Sequence, residues 1–279
     1  MAWQTGDPGI IFLDRLNRDN PTPHLGEIES TNPCGEQPLL PFESCNLGSI
    51  NLAKMVKDKQ INWEKLERVI NLSVRFLDNV IGVNNYPLKV IEEMTKGNRK
   101  TGLGVMGFAD LLVQLGIPYD SEKALDLAGD IMNFISKQAK QASVELGIER
   151  GVFPNFKGSI YDYPGGPKVR NATSTTIAPT GTISIIANCS SGIEPIFALN
   201  YIRKVMDNDE LLEVNPYFEQ VMIERGLNNQ QIMRRIAQQG SIKNMRELPL
   251  DIREIFVTSH DISPKWHVLM QAAFQKYTD

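Results

Sequence analysis

The clearest hydrophobic pattern in the chain is a stripe of aliphatic residues that recur three and four positions apart between residues 63 and 83. The stripe consists of Leu66, Ile70, Val74, Leu77 and Ile81. Side chains at this spacing share one face of an α-helix. Asn62 precedes the stripe and can accept hydrogen bonds from the free N–H groups of a first helical turn. The pattern therefore predicts a core-facing helix from Trp63 to about Val83.

Further helices follow from the same kind of pattern. Ser121 is predicted to cap a long helix that runs to about Leu146 and ends at Gly147. Pro87 and Gly97 are predicted to open and close a shorter helix, since proline is common at helix starts and glycine just past helix ends. The narrow apolar face of the long helix consists of Ala124, Ala128, Ile131, Ile135 and Ala142. Helices with polar outer faces are predicted over residues 216–225, 229–238 and 263–277.

An apolar run at residues 102–106 is typical of a buried strand, which would turn at Gly107 into a helix over residues 108–115. The same residues match the Gly-x-Gly-x-x-Gly pattern of dinucleotide-binding proteins. That fingerprint requires a strand immediately before its first glycine, whereas residues 96–100 are polar. We therefore interpret residues 102–107 as a buried strand with its turn and not as a nicotinamide site.

Other segments lack a helical period. Residues 173–178 and 193–202 are strand candidates, and the short apolar stretch at 10–16 fits either a strand or a helix. Residues 153–169 are rich in Gly, Pro and Tyr and are predicted to form a surface loop. Alternating helix and strand candidates predict an α/β fold.

Charge and composition limit the classes of partner. The chain has 279 residues and a formal net charge of −4, without a basic stripe, so neither nucleic acid nor an anionic membrane is an expected partner. No apolar run reaches eighteen residues, and the N-terminus lacks a signal-peptide pattern, which predicts a cytoplasmic location. Three cysteines, an odd number, argue against a secreted disulfide framework. His260 and His267 lack the spacing of metal ligands and are interpreted as structural, so no metal site is predicted.

The pentapeptide Asn-Pro-Cys-Gly-Glu at residues 32–36 carries the first candidate chemistry. Pro33 removes a backbone donor and Gly35 adds no crowding, which predicts an extended loop. In an extended chain, alternate side chains point to the same face. The three side chains that would project together are those of Asn32, Cys34 and Glu36.

On these five residues alone, a turn around a buried structural cysteine is the alternative, because free cysteine is often a small hydrophobe. The second thiol, Cys45, follows eleven residues later and favours a chemical role for both cysteines. Cys189 has no such context and is interpreted as structural.

The turn Pro179-Thr180-Gly181-Thr182 precedes a predicted helix that begins at Ile183. A helix N-terminus with free N–H groups and a glycine for close approach can bind an anion. An ordinary turn capped by Thr180 is equally compatible with these residues. The residues by themselves leave both interpretations open.

Taken together in chain order, these motifs resemble the catalytic subunit of ribonucleotide reductase, and most of all the adenosylcobalamin-dependent class II enzymes. The resemblance spans essentially the whole chain. The segments that carry it are residues 32–39, 44–51, 101–110, 178–184, 260–264 and 271–277.

The resemblance implies an α/β fold that is part of a ten-stranded α/β barrel, made of two five-stranded halves with a finger loop through its centre. Residues 31–46 would be this finger. Residues 1–279 would be the middle-to-late portion of the catalytic barrel domain, incomplete at both ends. Complementary N-terminal and C-terminal reductase polypeptides would then be its partners, and a dimer of the assembled units is a further expectation.

The resemblance also assigns roles in the reduction of ribonucleotides, expected to be diphosphates, to 2′-deoxyribonucleotides. Cys34 would become a transient thiyl radical that abstracts the 3′ hydrogen, and Glu36 would accept the 3′-hydroxyl proton as general base. Asn32 would orient the sugar hydroxyls. Cys45 would be one half of the reducing dithiol. Substrate contacts are expected from the pentapeptide and, for the diphosphate, from residues 179–183; the cofactor would be adenosylcobalamin and an external dithiol would be the reductant.

The sequence departs from the family pattern in several places. The second reducing cysteine, the C-terminal cysteine pair and the effector-binding region have no counterpart in this chain. Class II is favoured by the short separation of Cys34 and Cys45 and by the Pro and Gly that flank Cys34. The alternatives are a class I-type fragment that takes its radical from a separate protein subunit, and a non-catalytic nucleotide-binding assembly subunit. Retention of Asn32, Cys34, Glu36 and Cys45 argues against the latter.

Overall fold

A computed structural model describes residues 2–204 and 210–279 of the chain. The helices are α1 (Ala2–Thr5), α2 (Leu13–Arg18), α3 (Trp63–Val83), α4 (Lys89–Asn98), α5 (Phe108–Leu115), α6 (Glu122–Arg150), α7 (Gly181–Ala187), α8 (Pro216–Glu224), α9 (Gln230–Gln239), α10 (Leu250–Ile255) and α11 (Pro264–Gln275). The strands are β1 (Ser30–Thr31), β2 (Pro38–Leu39), β3 (Asn46–Asn51), β4 (Val56–Lys57), β5 (Gln60–Ile61), β6 (Thr101–Met106), β7 (Asn200–Lys204) and β8 (Glu210–Val214). Short 3₁₀ turns lie at Pro23–Leu25, Leu52–Met55 and Pro154–Phe156.

Strand β6 is the centre of the molecule, and every one of its residues is buried. It pairs in parallel with β3, with Asn46 opposite Thr101. On its other side Leu103 N donates to Ser174 O at 2.8 Å and Thr176 N donates to Leu103 O at 3.2 Å. A strand covered on both edges and both faces is apolar along its whole length, which explains the continuous run in the sequence. The predicted strand, its turn at Gly107 (φ 72°) and the helix that follows are confirmed.

Helices α3 and α6 pack against each other beside this sheet, and α11 packs against α6. The predicted start of α3 is confirmed, since Asn62 Oδ1 accepts a hydrogen bond from Lys65 N at 2.9 Å. Both predicted apolar faces lie in the main core. The buried residues of the two faces are Leu66, Ile70, Val74, Leu77, Ile81, Ala124, Ala128, Ile131, Ile135 and Ala142. Their burial is the main hydrophobic contribution to the stability of this layer.

Two glycines that were expected to end helices lie inside them. Helix α4 continues past Gly97 and ends before Arg99, which has a left-handed φ of 50°. Helix α6 continues past Gly147 to Arg150. A Cβ at Gly97 would collide with the Asn155 side chain, and one at Gly147 would collide with the backbone of the segment that follows α6. Both predicted helix ends are wrong because these glycines permit close tertiary contact instead.

The predicted surface loop at 153–169 has a small core of its own. Phe153 and Phe156 are buried and pack edge to face with ring centroids 5.5 Å apart. Val169 and Ala172 complete this cluster. The segment is irregular, as predicted, but Phe153 and Phe156 point inward and pack on each other, whereas Tyr163 is exposed.

The remaining predictions are confirmed in part. Helices observed at 216–224, 230–239 and 264–275 match the predicted ones within two residues at each end, and residues 13–18 of the ambiguous N-terminal stretch are helical. The strand predicted over 193–202 begins only at Asn200, where β7 pairs in an antiparallel sense with β8. The residues before it have no regular strand pairing, although Ile193, Ile196 and Leu199 are buried. Helix α10 had no counterpart in the sequence pattern.

The predicted α/β class is confirmed, although the strands of the described ranges form four two-stranded sheets and do not close a barrel. On the side of β3 that faces away from β6, the described residues supply no further strand. Sheet edges of this kind are normally paired or covered. None of the helices in the described part of the chain combines the length and apolar character needed to cross a bilayer.

Candidate active site

Cys34 lies at the tip of a tight turn that joins β1 to β2. Asn32 O accepts a hydrogen bond from Gly35 N at 3.0 Å, and Asn32 N donates to Gln37 O at 3.1 Å. Gly35 has a φ of 82°, a conformation that suits glycine. The predicted extended loop is wrong here. A left-handed glycine and a backbone hydrogen bond reverse the chain within residues 32–36.

The turn gives its three polar side chains different environments. Cys34 is exposed. Asn32 is partly buried, and its Oδ1 accepts a hydrogen bond from Gln37 N at 3.0 Å, so this side chain holds the turn closed. Glu36 is partly buried, and its Oε2 is enclosed without a hydrogen-bond partner among the described residues. A buried carboxylate oxygen without a partner is costly unless a ligand or water satisfies it.

The turn is anchored to the central sheet through glycines. Thr176 Oγ1 donates to Glu36 O at 3.0 Å. A Cβ at Gly102 would lie 2.6 Å from Gln37 Nε2, and a Cβ at Gly104 would lie 2.8 Å from Thr176 O. The glycines of the Gly-x-Gly pattern therefore let the finger (residues 31–46) and residues 173–176 approach β6. This agrees with the interpretation of the pattern as structural.

A cavity of about 840 Å³ lies beside the finger. Its lining includes Cys34, Gly35 and Glu36 from the finger, together with Lys100, Pro179 and Gly192. The exposed thiol and the unpartnered carboxylate oxygen thus belong to residues that border the same space. The arrangement can accept a hydrogen bond from a ligand hydroxyl at Glu36 while Cys34 meets the ligand.

The predicted anion-binding turn touches this cavity at one end only. Pro179 lines it, whereas residues 180–183 are outside the lining formed by the described residues. Thr180 has a left-handed φ of 57° and does not cap α7. Its Oγ1 instead accepts a hydrogen bond from Gly192 N at 2.7 Å. The ordinary Thr180-capped turn is therefore not what the structure contains, and Gly181, Thr182 and Ile183 are exposed at the helix start.

Cys45 lies at the end of the finger, just before β3, and is outside the cavity lining of the described residues. Its Sγ donates to Asn46 O at 3.6 Å. Burial raises the pKa of the Cys45 thiol to about 12. Burial also raises the pKa of the partly buried Cys189 to about 11. All three cysteines are free thiols. Because its pKa is raised, the Cys45 thiol is protonated at neutral pH and can donate hydrogen.

The sequence analysis missed a buried ion pair beneath the finger. Lys100 Nζ lies 2.7 Å from Glu43 Oε2, and the two side chains are 1% and 0% exposed. Asn98 Nδ2 donates to Glu43 Oε1 at 2.6 Å, and Leu40 N donates to Glu43 Oε2 at 2.9 Å. Little in the sequence indicated this pair. Glu43 and Lys100 each lie shortly before a strand, and charged side chains at such positions are usually exposed to solvent.

Groups of three or more His, Cys, Asp or Glu that could hold a metal ion do not occur in the described ranges. His267 Nε2 lies 3.3 Å from Ser259 O, and the His260 ring packs against Phe197 at 5.8 Å. Both histidines thus have the structural contacts that their spacing indicated.

Comparison with known proteins identifies the scaffold. The family model described as "Ribonucleotide reductase, barrel domain" matches residues 1–164 and 167–279, which is nearly the whole chain. The chain belongs to the ribonucleotide reductase barrel-domain family. The resemblance stated from the motifs, and the fold it implied, are confirmed.

Individual relatives agree with this assignment. The vitamin B12-dependent ribonucleoside-diphosphate reductase of Thermoplasma acidophilum is 54% identical over 279 residues, which cover 100% of this chain and 36% of that protein. The reductase of the same name from Mycobacterium tuberculosis is 50% identical over 278 residues, covering 100% of this chain and 40% of that protein. Among solved structures, the Actinobacillus ureae class Id ribonucleotide reductase alpha subunit matches with a TM-score of 0.80 and 27% identity, covering 99% of this chain and 51% of that one. The chain thus spans about a third to a half of the length of these relatives.

Proposed function

We propose that this chain is one part of the catalytic subunit of a B12-dependent ribonucleoside-diphosphate reductase, which reduces ribonucleotides to 2′-deoxyribonucleotides. The observation that carries the proposal is the shared cavity of exposed Cys34 and of Glu36, whose Oε2 is buried and unpartnered. The class is supported by identity: 54% and 50% to B12-dependent reductases, against 27% to a class Id alpha subunit.

Adenosylcobalamin, when bound, would supply the radical chemistry that amino acid side chains do not provide by themselves. The site fits this requirement at Cys34, because its exposed thiol at the tip of the turn can be reached from outside the chain. Cys34 is the contact that we assign to the cofactor. We propose that the rest of the cofactor site lies in the parts of the relatives that extend beyond this chain.

Four residues of this chain then act on the ribose, each in a different step. Cys34, as a thiyl radical, takes the hydrogen atom from C3′ and becomes a thiol. Glu36 accepts the 3′-hydroxyl proton at Oε2, the oxygen that has no partner among the described residues. Asn32, held in the turn, orients the hydroxyls. Cys45 and a second thiol supply two electrons and two protons and end as a disulfide: one proton leaves with the 2′-hydroxyl as water, and the other takes the place of that hydroxyl on C2′. The hydrogen atom returns from Cys34 to C3′.

We propose that the second thiol comes from another polypeptide, because we assign Cys34 to hydrogen transfer and Cys189 is outside the cavity lining formed by the described residues. We propose that it lies on a complementary N-terminal polypeptide, and that a C-terminal polypeptide passes electrons from an external dithiol. The assembled units can dimerise. We place the enzyme in the cytoplasm, where its three thiols remain reduced.

We further propose that residues 179–183 hold the diphosphate. Pro179 lines the same cavity as Cys34. The next three residues begin α7 with their backbone exposed and with no side-chain cap, so their first-turn N–H groups have no partner within the helix. The resemblance of this turn to the phosphate loop of the family favours a phosphate as the ligand.

Gly181→Val is expected to weaken substrate binding at least tenfold more than Thr182→Ala. Gly181 has a helical backbone and open space where a Cβ would be, so the valine variant should fold. The added side chain would nevertheless stand where the phosphate approaches. Thr182→Ala removes at most one hydroxyl contact, worth about 0.5–1.5 kcal/mol.

Equilibrium binding of a ribonucleoside diphosphate to the assembled enzyme measures both effects, with circular dichroism as the folding control. Equal, small losses from both variants would mean that the turn is structural and that the diphosphate lies elsewhere.

The proposed function is tested by assaying deoxyribonucleotide formation by this chain with its complementary polypeptides, a dithiol and adenosylcobalamin. We expect turnover only when all components are present. Turnover by the chain alone would contradict the divided catalytic subunit. Turnover that requires a separate radical-generating protein in place of adenosylcobalamin would support the class I alternative.

A further inference from the structure

The buried Glu43–Lys100 pair has no part in the chemistry described above, although it borders the cavity through Lys100. Glu43 is held by three donors: Leu40 N, Asn98 Nδ2 and Lys100 Nζ. Lys100 Nζ also donates to Pro38 O at 3.3 Å. The ammonium group is therefore fixed by two acceptors on the limb of the finger that follows Cys34. Burial of an ion pair is costly even when both partners are hydrogen-bonded, so the position of this charge calls for a reason.

The strand register places residue Lys100 next to Cys45. Asn46 and Thr101 are the first opposed pair of the parallel β3–β6 ladder. Cys45 and Lys100 occupy the position immediately before that pair on the two strands. Adjacent strands are about 4.8 Å apart, so residues at such positions are neighbours.

Among the described residues, the charged groups that act on the Cys45 thiol are Glu36 and Glu43 of the finger and Lys100, the residue just before β6. Lys100 is the group among them that lowers the pKa of the thiol, while Glu43 and Glu36 raise it. Burial is the largest of these effects, and together with the two carboxylates it outweighs Lys100. The Cys45 thiol therefore stays protonated at neutral pH. The positive charge thus opposes both the burial and the two carboxylates.

We propose that Lys100 is a positioning residue for Cys45: its ammonium group, held by Glu43 and Pro38 O, stabilises negative charge on the Cys45 sulfur when that sulfur becomes a thiolate. This inference rests on the proposed function, in which Cys45 cycles between thiol and disulfide. An external thiolate attacks the second sulfur of that disulfide, the S–S bond breaks, and the Cys45 sulfur departs with the electron pair. A leaving sulfur is released faster when its anion is stabilised.

The test uses alkylation of Cys45, which requires neither nucleotide nor cofactor. With Cys34→Ala and Cys189→Ser, Cys45 is the remaining thiol of the three in the chain. Its rate constants are measured at pH 8 with iodoacetate, an anion, and with iodoacetamide, which is neutral. A positive charge near the sulfur accelerates the anionic reagent selectively. The ratio of the two rate constants therefore reports local charge and cancels changes in accessibility.

Lys100→Met is expected to lower the iodoacetate-to-iodoacetamide ratio at least about fivefold, as expected for loss of one unit charge near the sulfur. Lys100→Arg, which keeps the charge, should retain the ratio within about twofold. Lys140→Met is the matched control, since it removes another largely buried lysine whose partners are Asp279 and Tyr161. It should leave the ratio unchanged.

If Lys100→Met does not fold, the double variant Lys100→Met with Glu43→Gln decides the case, because it leaves no buried charge unpaired. Its ratio should also fall, by a smaller factor, since Lys100 acts on the thiol more strongly than Glu43 does. If the variant that folds, single or double, has the same ratio as the Lys140→Met control, the assignment of Lys100 is overturned. The reductase proposal is then untouched. Failure of deoxyribonucleotide synthesis would instead contradict the reductase proposal without changing the alkylation result.

Discussion

Cys34→Ala is expected to abolish tritium release from 3′-labelled ribonucleotide in the assembled enzyme. We assign to the Cys34 sulfur the abstraction of the 3′ hydrogen, and an alanine methyl group cannot take over that role. The substitution should not disturb the fold, because Cys34 is exposed at the tip of its turn and the turn is closed by Asn32, Gly35 and Gln37. Unfolding by urea therefore serves as the control and should be unchanged within about 0.5 kcal/mol.

Cys45→Ala should fail at a later step. Hydrogen abstraction at Cys34 does not involve Cys45, so tritium release should persist while multiple turnovers stop. The Cys45 side chain is partly buried, so its truncation to alanine is expected to cause a modest loss of stability. If Cys34→Ala still released tritium, the assignment of the abstracting thiol would be wrong. If Cys45→Ala still completed many turnovers, Cys45 would not belong to the reducing pair.

Glu43→Ala is expected to destabilise the chain by about 3–5 kcal/mol, the usual cost of leaving one partner of a buried ion pair alone. Three donors lose their acceptor at once: Leu40 N, Asn98 Nδ2 and Lys100 Nζ. The Lys100 ammonium would remain buried beside Pro38 O without its counter-ion. Urea unfolding measures this loss as a lower midpoint at an unchanged slope.

The matched control is Asp251→Ala, which breaks an ion pair of the same 2.7 Å length between half-exposed side chains. Exposed pairs contribute little because solvent screens them. The double variant Lys100→Met with Glu43→Gln should recover part of the loss from Glu43→Ala. A loss for Glu43→Ala no larger than that of the control would show that water reaches the buried pair.

Helices and the central strand could be predicted from the sequence because their signals are local. The α3 stripe, its Asn62 cap and the uninterrupted apolar run of β6 depend on residues within a few turns of one another. The same holds for the motif that carries the chemistry. The pentapeptide and Cys45 indicated a thiol–carboxylate site, and the structure places Cys34 and Glu36 on one cavity.

Predictions failed where the deciding contact is distant in the chain. Glycine at 97 and 147 was interpreted as a helix stop, but each provides room for a segment that follows much later. The extended form predicted for residues 32–36 ignored the side chain of Asn32, which accepts from Gln37 N and helps to reverse the chain. Local propensity does not contain these contacts, and tertiary packing overrides it.

The sequence by itself therefore determined the helical layer, the buried strand and the identities of the reactive side chains. Only the tertiary structure decided which of them share a cavity, that Glu36 keeps a buried oxygen without a partner, and that Lys100 lies beside Cys45 with Glu43 as its counter-ion. The physical reason is that periodicity and capping act over a few residues, whereas burial, desolvation and charge pairing depend on neighbours brought together from positions more than fifty residues apart.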